Sequence, residues 1–386
     1  MRRGLMAATP MLAAIAATRA IATPPQVEPY GTLADGRSVE RYTLRNAHGM
    51  TVRVLTYAGV ITEISVPALD GTIGNVVLTK PDLAGYVASP SYSSLLGRYA
   101  NRISGGGFTL DGRRYDLAGA AANGMVLHGG PDALSQQVWR TKPFGGRTGS
   151  SGIVFSIVSP DAANGFPGTL RIQVRYTLED TDTLRLDYEA TTDKPTVVNL
   201  SHHVYFNLAG EGASSADDQC VQILADRYAE AKMQAMTGAL RSVEGTPFDL
   251  RRPTRLGDRI NKGDPLLPRG YDTPFVVRRE GDRMMPAARA WDPATGRMME
   301  LRTNETSIQF FTPNIRPATS PPLGVAPVVP HAAGYAIETE HLPESPNYPS
   351  FPSTILRPGQ TFRSATSWHF GTYAPVAGTC PSPASS

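Results

Sequence analysis

Apolar and polar residues alternate along residues 170–190, and this period of two constrains the fold more than any other feature of the chain. In Leu-Arg-Ile-Gln-Val-Arg-Tyr-Thr-Leu, residues 170–178, every second side chain is apolar. Residues 184–190 repeat the pattern after a short polar stretch. Successive side chains of a β-strand point to opposite faces, so the pattern predicts a β-hairpin with one buried face.

The remainder of the chain also favours strands over helices. Similar strand-like runs occur at residues 51–57, 60–66, 153–158, 221–224, 273–277 and 307–311. Helical periodicity is scarce, and one short helical turn is expected at residues 81–87. The 37 glycines and 33 prolines suit many turns, and no linker divides residues 27–375. We therefore predict an all-β fold, a single large antiparallel β-sandwich with long loops and little helix.

The two ends of the chain differ from this domain. Two arginines and an apolar stretch precede Ala20-Ile21-Ala22, which resembles a cleavage site, so residues 1–22 are expected to be a signal peptide cut after Ala22. The mature protein would then be periplasmic or secreted; a disordered alanine-rich leader is the alternative. The apolar stretch is too short to span a bilayer, so no membrane span is expected in the mature chain. We assign residues 23–376 to the β-domain and residues 377–386 to a disordered tail.

Cys220 and Cys380 are the only cysteines of the chain. In an exported protein they can form one disulfide, and two unpaired thiols are the alternative. Two cysteines cannot supply a four-thiolate zinc site. The net charge of +3 is spread along the chain without a basic run, which argues against nucleic acid as a partner.

The decapeptide Asn-Leu-Ser-His-His-Val-Tyr-Phe-Asn-Leu at residues 199–208 gives the strongest functional signal. If this segment forms a strand, one face is almost wholly apolar. The other face then has five hydrogen-bonding side chains in a row, with His203 at the centre. Such a face suits the wall of a polar cavity, and a solvent-exposed strand face is the alternative.

Three shorter segments contain side chains that suit a polar ligand. Asn101 and Arg102, within residues 97–103, can donate hydrogen bonds to vicinal hydroxyls or to a carboxylate. His128 precedes two glycines in a loop, and Asp272 precedes a strand-like run. Each has an ordinary alternative: surface arginines near a turn, a surface histidine in a loop, and an aspartate that forms a turn.

Glu338 and Glu340 share one face of a predicted strand that begins near Tyr335. A carboxylate at the end of a buried strand is a candidate general base, because partial burial raises its pKa toward the operating pH. The alternative is an exposed strand face with both carboxylates in solvent. The proline-rich stretch that follows predicts a stiff, ordered loop.

Together these segments resemble the aldose 1-epimerase (galactose mutarotase) family over most of residues 29–374. The motifs that match, in the family's order, are Gly97–Ile103, Leu127–Gly130, Asn199–Leu208, Gly245–Asp249, Tyr271-Asp272 and Glu338–Pro352. The resemblance implies a β-supersandwich with an open sugar-binding cleft. It also implies interconversion of the α and β anomers of a free aldohexose, such as glucose or galactose, without a metal or organic cofactor. The expected partner is a small aldose sugar, and the expected assembly state is a monomer or a weak dimer.

The resemblance further implies roles for particular residues. His203 aligns with the family's catalytic histidine, and Glu338 aligns with its catalytic glutamate. The residues expected to bind the sugar are Asn101, Arg102, His128 and Asp272. The chain departs from the family pattern at His202, where asparagine is usual, and at Glu340, where glutamine is frequent. These departures bear on substrate range more than on reaction type.

Anomerisation needs a proton removed from the O1 hydroxyl and a proton delivered to the ring oxygen. We hypothesise that Glu338 is the base toward O1 and that a protonated His203 is the acid toward O5. An acidic neighbour should support the cationic form of His203.

The sequence is also compatible with two other functions. A non-catalytic sugar-binding protein could share the scaffold, although the presence of both His203 and Glu338 argues against it. A glycoside hydrolase or lyase could also share the scaffold, and a hydrolase usually needs two flanking carboxylates. Glu338 and Glu340 are a poor pair for that role, because both lie on one strand.

Overall fold

The computed structural model describes residues 24–145, 150–232, 235–260, 262–268, 270–313, 333–375 and 379–381. The predicted signal peptide, residues 1–22, lies outside the described residues. The predicted disordered tail, residues 377–386, also lies outside them apart from residues 379–381.

The described residues form 28 strands, most of them short. In chain order the strands are β1 (Gln26–Thr32), β2 (Ser38–Arg45), β3 (Thr51–Leu55), β4 (Ile61–Pro67), β5 (Ile73–Asn75), β6 (Leu95–Leu96), β7 (Arg102–Ile103), β8 (Gly107–Leu110), β9 (Arg113–Asp116), β10 (Val126–Leu127), β11 (Arg140–Gly145), β12 (Ser150–Ser159), β13 (Leu170–Glu179), β14 (Thr183–Thr192), β15 (Thr196–Val197), β16 (Ser201–His202), β17 (Tyr205–Phe206), β18 (Cys220–Ile223), β19 (Arg227–Lys232), β20 (Ala235–Ser242), β21 (Thr254–Arg255), β22 (Asp272–Val276), β23 (Met285–Trp291), β24 (Arg297–Thr303), β25 (Ser307–Phe311), β26 (Tyr335–Glu340), β27 (Ile355–Leu356) and β28 (Phe362–Thr372).

Helix is a minor component of the described chain. The α-helices are α1 (Leu83–Val87) and α2 (Gly257–Ile260). Single turns of 3₁₀-helix occur at Leu134–Gln136, Ala163–Gly165 and Ser345–Asn347. The side chain of Asp82 caps α1 by accepting a hydrogen bond from the Gly85 amide, which explains why this short turn is helical. The helical turn predicted at residues 81–87 is confirmed.

Two large antiparallel sheets dominate the fold. The nine-stranded sheet has the order β11-β12-β13-β14-β28-β24-β23-β18-β21, and the six-stranded sheet has the order β17-β26-β25-β22-β19-β20. Strands β1 to β5 form a third sheet in chain order. The largest hydrophobic cluster contains residues of all three sheets; Phe206 of β17, for example, packs against Trp368 of β28 with ring centroids 5.9 Å apart. The predicted antiparallel sandwich is confirmed.

The hairpin predicted from alternation is formed by β13 and β14, which pair from Leu170 opposite Thr192 to Glu179 opposite Thr183. The alternate apolar side chains of β13 are at most 1% exposed, as the period of two requires. The other predicted strand runs overlap β3, β4, β12, β18, β22 and β25.

The segment at residues 199–208 is not one continuous strand. Its first part pairs as β16 with β6, and its second part pairs as β17 with β26, so the two parts join different sheets. Between them His203 bonds through its backbone to Ser93 and Ser94. The polar side chains are buried rather than exposed, and the two asparagines have partners inside the protein: Asn199 donates to the Ala100 carbonyl at 3.2 Å, and Asn207 donates to the Ala333 carbonyl at 2.7 Å. The alternative of a solvent-exposed face is wrong.

Cys220 in β18 is bonded to Cys380, with a Cα–Cα distance of 5.7 Å. The disulfide, and not the pair of free thiols, is therefore the arrangement of this structure. It attaches residues 379–381 to an inner strand of the nine-stranded sheet, whereas disorder was expected there from composition. Among the described residues, no helix is long and apolar enough to cross a membrane.

Reduction of the disulfide should destabilise the protein. The bond joins residues that are 160 positions apart, so it restricts the unfolded chain more than the folded one. We expect reduction to lower the free energy of unfolding by about 2–4 kcal/mol, measured by urea unfolding with and without dithiothreitol. The control is the Cys220→Ser/Cys380→Ser variant, whose stability should not respond to the reductant. Equal stability of the oxidised and reduced wild-type protein would contradict the expectation.

Candidate active site

Three neighbouring strands of the six-stranded sheet supply one wall of the candidate site. Glu338 of β26 lies directly opposite Gln309 of β25, and Gln309 donates to Asp272 of β22 at 2.6 Å. Side chains two residues apart on a strand share a face, so Glu338 and Glu340 project on the same side. Strand β26 is buried along its whole length because it lies between β17 and β25, and the alternative of an exposed strand face is wrong.

The His203 side chain lies against Glu338, which belongs to this wall. The His203 Nε2 atom lies 3.4 Å from the Glu338 Oε1 atom. The side chains are only 10% and 3% exposed, so each lies at the edge of solvent rather than in it. The structure thus brings together an imidazole and a carboxyl group that are distant in sequence, and both are little exposed.

Aromatic rings fix the orientation of the His203 imidazole. Tyr205 stacks on it with centroids 4.7 Å apart and an interplanar angle of 28°. Phe311 meets it edge-on at 6.1 Å, and His128 meets it edge-on at 5.6 Å. Rings on three sides restrict rotation of the imidazole, so its Nε2 atom is directed toward Glu338.

Arg102 and Asp272 form an ion pair beside the histidine and the glutamate. The Arg102 Nη2 atom donates to the Asp272 Oδ2 atom at 2.5 Å. The Arg102 side chain is 11% exposed and that of Asp272 is 32% exposed. Both side chains are therefore partly accessible to solvent, and a fork of N–H donors beside a carboxylate acceptor can bind neighbouring hydroxyl groups.

The backbone of Asn101 determines how His128 can act. The Asn101 amide donates to the His128 Nδ1 atom at 3.1 Å, and the His128 amide donates back to the Asn101 carbonyl at 2.9 Å. A neutral imidazole that accepts at Nδ1 has its proton on Nε2, so His128 offers the site an N–H donor. The next residue, Gly129, lies close to the backbone of Gly97. A Cβ added at Gly129 would lie 2.3 Å from the Gly97 carbonyl oxygen, so a larger residue does not fit there.

Asn101 is only 3% exposed, and its side chain bonds to other residues of the site. Its amide nitrogen donates to the Glu340 Oε1 atom at 2.7 Å, and its amide oxygen accepts from Arg102 at 3.1 Å. Asn101 therefore holds the side chains around it. Its expected direct contact with a sugar stays a prediction.

Burial shifts the pKa values of the acid and the base in opposite directions. It raises the pKa of Glu338 well above its ordinary range, and the charges of Glu340 and Asp272 add to this effect, while Arg102 opposes it. Burial lowers the pKa of His203 to about 4, although Asp272 acts in the other direction. The protein groups alone therefore place one shared proton on the Glu338 carboxyl. The expectation that an acidic neighbour keeps His203 cationic is not met, because desolvation outweighs that charge.

The side chains of this cluster do not suit a metal ion. His128, His203 and Glu338 each place a potential ligand atom within 4.8 Å of the others, so distance alone allows a cation. However, the His128 Nδ1 atom accepts from the backbone, and the Nε2 atom of that tautomer is protonated. A metal-ligating nitrogen must have a free lone pair, and neither nitrogen of His128 offers one. The donors fit a hydroxylated organic ligand better than a cation.

Two contributors to the site were missed by the sequence analysis as functional residues. Gln309 and Phe311 lie in a run whose pattern predicts only a strand. Their role follows from the register of β25 against β22 and β26, which pairs residues far apart in sequence. No local signal in residues 307–311 marks them.

Comparison with known proteins gives consistent results. A family model described as aldose 1-epimerase matches residues 40–369. A galactose mutarotase of Rattus norvegicus is 35% identical over 337 residues, which cover 87% of this chain and 95% of that protein. An aldose 1-epimerase of Escherichia coli K12 is 33% identical over 341 residues, covering 87% and 96%. The crystal structure of a galactose 1-epimerase from Lactobacillus acidophilus is similar with a TM-score of 0.77 at 25% identity, covering 90% of this chain and 98% of that one.

Replacement of Glu338 by glutamine should stabilise the protein, and the gain should grow as the pH rises. The folded protein retains a proton on Glu338 above the pH at which the unfolded chain releases it, so the wild-type protein loses stability as the pH rises from about 4 toward the raised pKa. Glutamine binds no proton and avoids this loss. We expect the difference in the free energy of unfolding to grow by on the order of 1 kcal/mol between about pH 5 and about pH 8.

The measurement is urea unfolding of both proteins across that pH range. Glu189→Gln is the matched control, because the Glu189 side chain is 53% exposed and the same change there removes a solvated charge. A difference for Glu338→Gln that stays constant, or that shrinks toward alkaline pH, would contradict the argument.

Proposed function

This chain belongs to the aldose 1-epimerase family, and on that premise we propose that it interconverts the α and β anomers of free aldohexoses such as glucose and galactose. The activity is that of a carbohydrate isomerase. The observation on which the proposal depends is the contact between His203 and Glu338, which are 3.4 Å apart and little exposed, with Arg102 and Asp272 nearby.

The chemistry of ring opening needs one base and one acid. Glu338 takes the proton from the O1 hydroxyl, and His203 gives a proton to the ring oxygen O5. The C1–O5 bond breaks as the C1–O1 bond becomes a carbonyl, which leaves an open-chain aldehyde. Rotation about the C1–C2 bond presents the other face of that carbonyl. Ring closure reverses both proton transfers, and the two residues return to their starting states.

Ring opening begins from the form in which Glu338 is ionised and His203 is protonated. The protein groups alone favour the neutral form, in which the same proton lies on Glu338. The two forms differ only by movement of that proton between the facing Nε2 and Oε1 atoms. We infer that the sugar favours the charged form, because the O1 hydroxyl donates to the carboxylate and O5 accepts from the imidazolium.

The remaining side chains of the site would orient the sugar. Arg102 and Asp272 offer a donor fork and an acceptor, and His128 offers its Nε2–H group. Such contacts would hold O1 and O5 against the base and the acid, which is the main benefit that positioning gives a catalyst.

The geometry disfavours the two other functions. A protein that only binds sugar has no need for an acid and a base in contact beside the donors. A glycoside hydrolase needs carboxyl groups that flank the scissile bond. Glu338 and Glu340 project from the same face of β26, so they approach a bound sugar from one side.

Loss of either proton-transfer group should reduce turnover without unfolding the protein. We expect Glu338→Gln and His203→Asn each to lower kcat by about 10²–10⁴-fold, since each removes one acid–base step. The measurement is polarimetry of freshly dissolved α-glucose and α-galactose, with circular dichroism to check the fold.

The matched controls are Glu189→Gln and His48→Asn. Both make the same chemical change on side chains that are more than half exposed and that do not belong to the candidate site. Both variants should therefore retain wild-type turnover. Near-normal mutarotation by either active-site variant would show that the role assigned to that residue is wrong. Release of reducing ends from oligosaccharides would instead indicate a hydrolase.

We also propose that the protein is exported and works in the periplasm or the medium. The signal-like residues 1–22 support this, and so does a disulfide, which persists in oxidising compartments. N-terminal sequencing of the protein from fractionated cells of its source should begin at Thr23, in the periplasmic or extracellular fraction. Recovery of the chain in the cytoplasm with residues 1–22 retained would contradict export.

A further inference from the structure

Glu340 is a buried carboxyl group that the proton-transfer mechanism does not use. It is the last residue of β26, and none of its surface is exposed. Its Oε1 atom accepts from the Asn101 amide at 2.7 Å. Within the described part of the chain, its Oε2 atom is buried and has no hydrogen-bond partner. An ionised carboxylate with one oxygen unsatisfied in a dry environment is costly, whereas a protonated carboxyl tolerates it better.

The charges around Glu340 act in both directions: Arg102 favours its ionised form, whereas Glu305 and Asp272 oppose it. Every element packed around Glu340 contributes a titratable or charged group. The acidic groups are Glu338 on β26, Asp272 on β22 and Glu305 between β24 and β25, with its partner His341. The other groups are Arg102 on β7, Tyr99 before β7, His128 after β10, and His203 between β16 and β17. Arg102 is the cation that acts on it, and the guanidinium is already bonded to Asp272 and Asn101. The carboxyl groups of Glu338, Glu340 and Asp272 thus share one cation.

Asn101 transmits the position of Glu340 to the rest of the site. Its side chain bridges Glu340 and Arg102, and its backbone amide donates to His128. The φ angle of Asn101 is +61°, a left-handed conformation that needs support from its surroundings. The hydrogen bond that Asn101 donates to Glu340 supplies part of that support.

We propose that Glu340 acts as a neutral carboxylic acid, a positioning residue that holds Asn101 and, through it, the two sugar-binding side chains Arg102 and His128. The activity part of this inference rests on the proposed function. Burial raises the pKa of Glu340 to about 8, against the effects of Asn101 and Arg102. Glu340 is therefore neutral near pH 7 and ionises in mildly alkaline solution.

Ionisation of Glu340 should lower activity. A new negative charge beside Glu338 holds the shared proton more tightly on that carboxyl, so less of the protein has the ionised base that ring opening requires. Activity should therefore fall as the pH rises through about 8. Glutamine has the same shape as the protonated acid and stays neutral at every pH.

The first test compares two substitutions of Glu340 by mutarotation kinetics. Glu340→Ala removes the hydrogen bond to Asn101 and should lower kcat/KM by about tenfold, mainly through a higher KM. Glu340→Gln should restore most of this loss near pH 7, and it should lack the decline in activity that the wild-type protein shows near pH 8. If the glutamine variant is as impaired as the alanine variant near pH 7, a carboxyl charge is required and the proposal is wrong.

The second test reads the protonation state directly and needs no activity. Infrared difference spectra of wild type and Glu340→Gln near pH 7 should show the carbonyl stretch of a protonated carboxylic acid in the wild type only. The same comparison in the Glu338→Gln background removes the contribution of the neighbouring carboxyl. A carboxylate signal in place of the acid would overturn the proposal even if mutarotation is observed. An acid signal in a protein without mutarotase activity would instead refute the proposed function. The spectra and the glutamine variant decide the question even if the alanine variant does not fold.

Discussion

The antiparallel register of β26, β25 and β22 is the constraint on which the site depends. It places Glu338 opposite Gln309 and Gln309 within hydrogen-bonding distance of Asp272, so three distant parts of the chain meet on one face. A shift of one residue in either pairing would turn every side chain of that strand to the other face. The apolar residues between these positions, such as Ile337 and Phe310, belong to the large core and therefore resist such a shift. The core thus stabilises the fold and positions the chemistry by the same contacts.

The side chains of the site are little exposed, so the neighbours of each side chain decide its role. Glu338 and Glu340 have the same side chain and the same strand face, yet one meets an imidazole and the other an amide. The two histidines beside them also differ. His203 faces a carboxyl group through Nε2, whereas the Nδ1 atom of His128 is occupied by a backbone amide. Proton transfer and hydrogen-bond donation are therefore assigned by the neighbours of each side chain and not by residue type.

Local patterns in the sequence predicted much of the fold. Period-two alternation in residues 170–190 was sufficient to predict β13 and β14, because one face of that hairpin is buried and the other is polar. The segment at residues 199–208 shows where such reasoning stops. Its alternation is genuine, but the backbone of His203 bonds to Ser93 and Ser94, so the segment divides between two sheets. Partners of this kind are remote in sequence, and a local pattern has no information about them.

The candidate site, like the fold, could be predicted only in part from the sequence. His203, Glu338, Arg102, His128 and Asp272 were identified by their resemblance to family motifs, and the structure places them close to one another. The bonding of Asn101 and the contribution of Gln309 follow from three-dimensional neighbours that no motif contains. The predicted cationic state of His203 also differs from the structure. Burial lowers the pKa of His203 more than its acidic neighbour raises it.

The low exposure of the His203–Glu338 pair has a consequence for its response to the medium. Mobile ions screen charges on a protein surface within about 10 Å at 0.1 M ionic strength, but they have little access to charges enclosed by protein. The sugar is uncharged, so its approach gains nothing from long-range attraction. We therefore expect the rate of anomer exchange to depend little on the ionic strength of the medium.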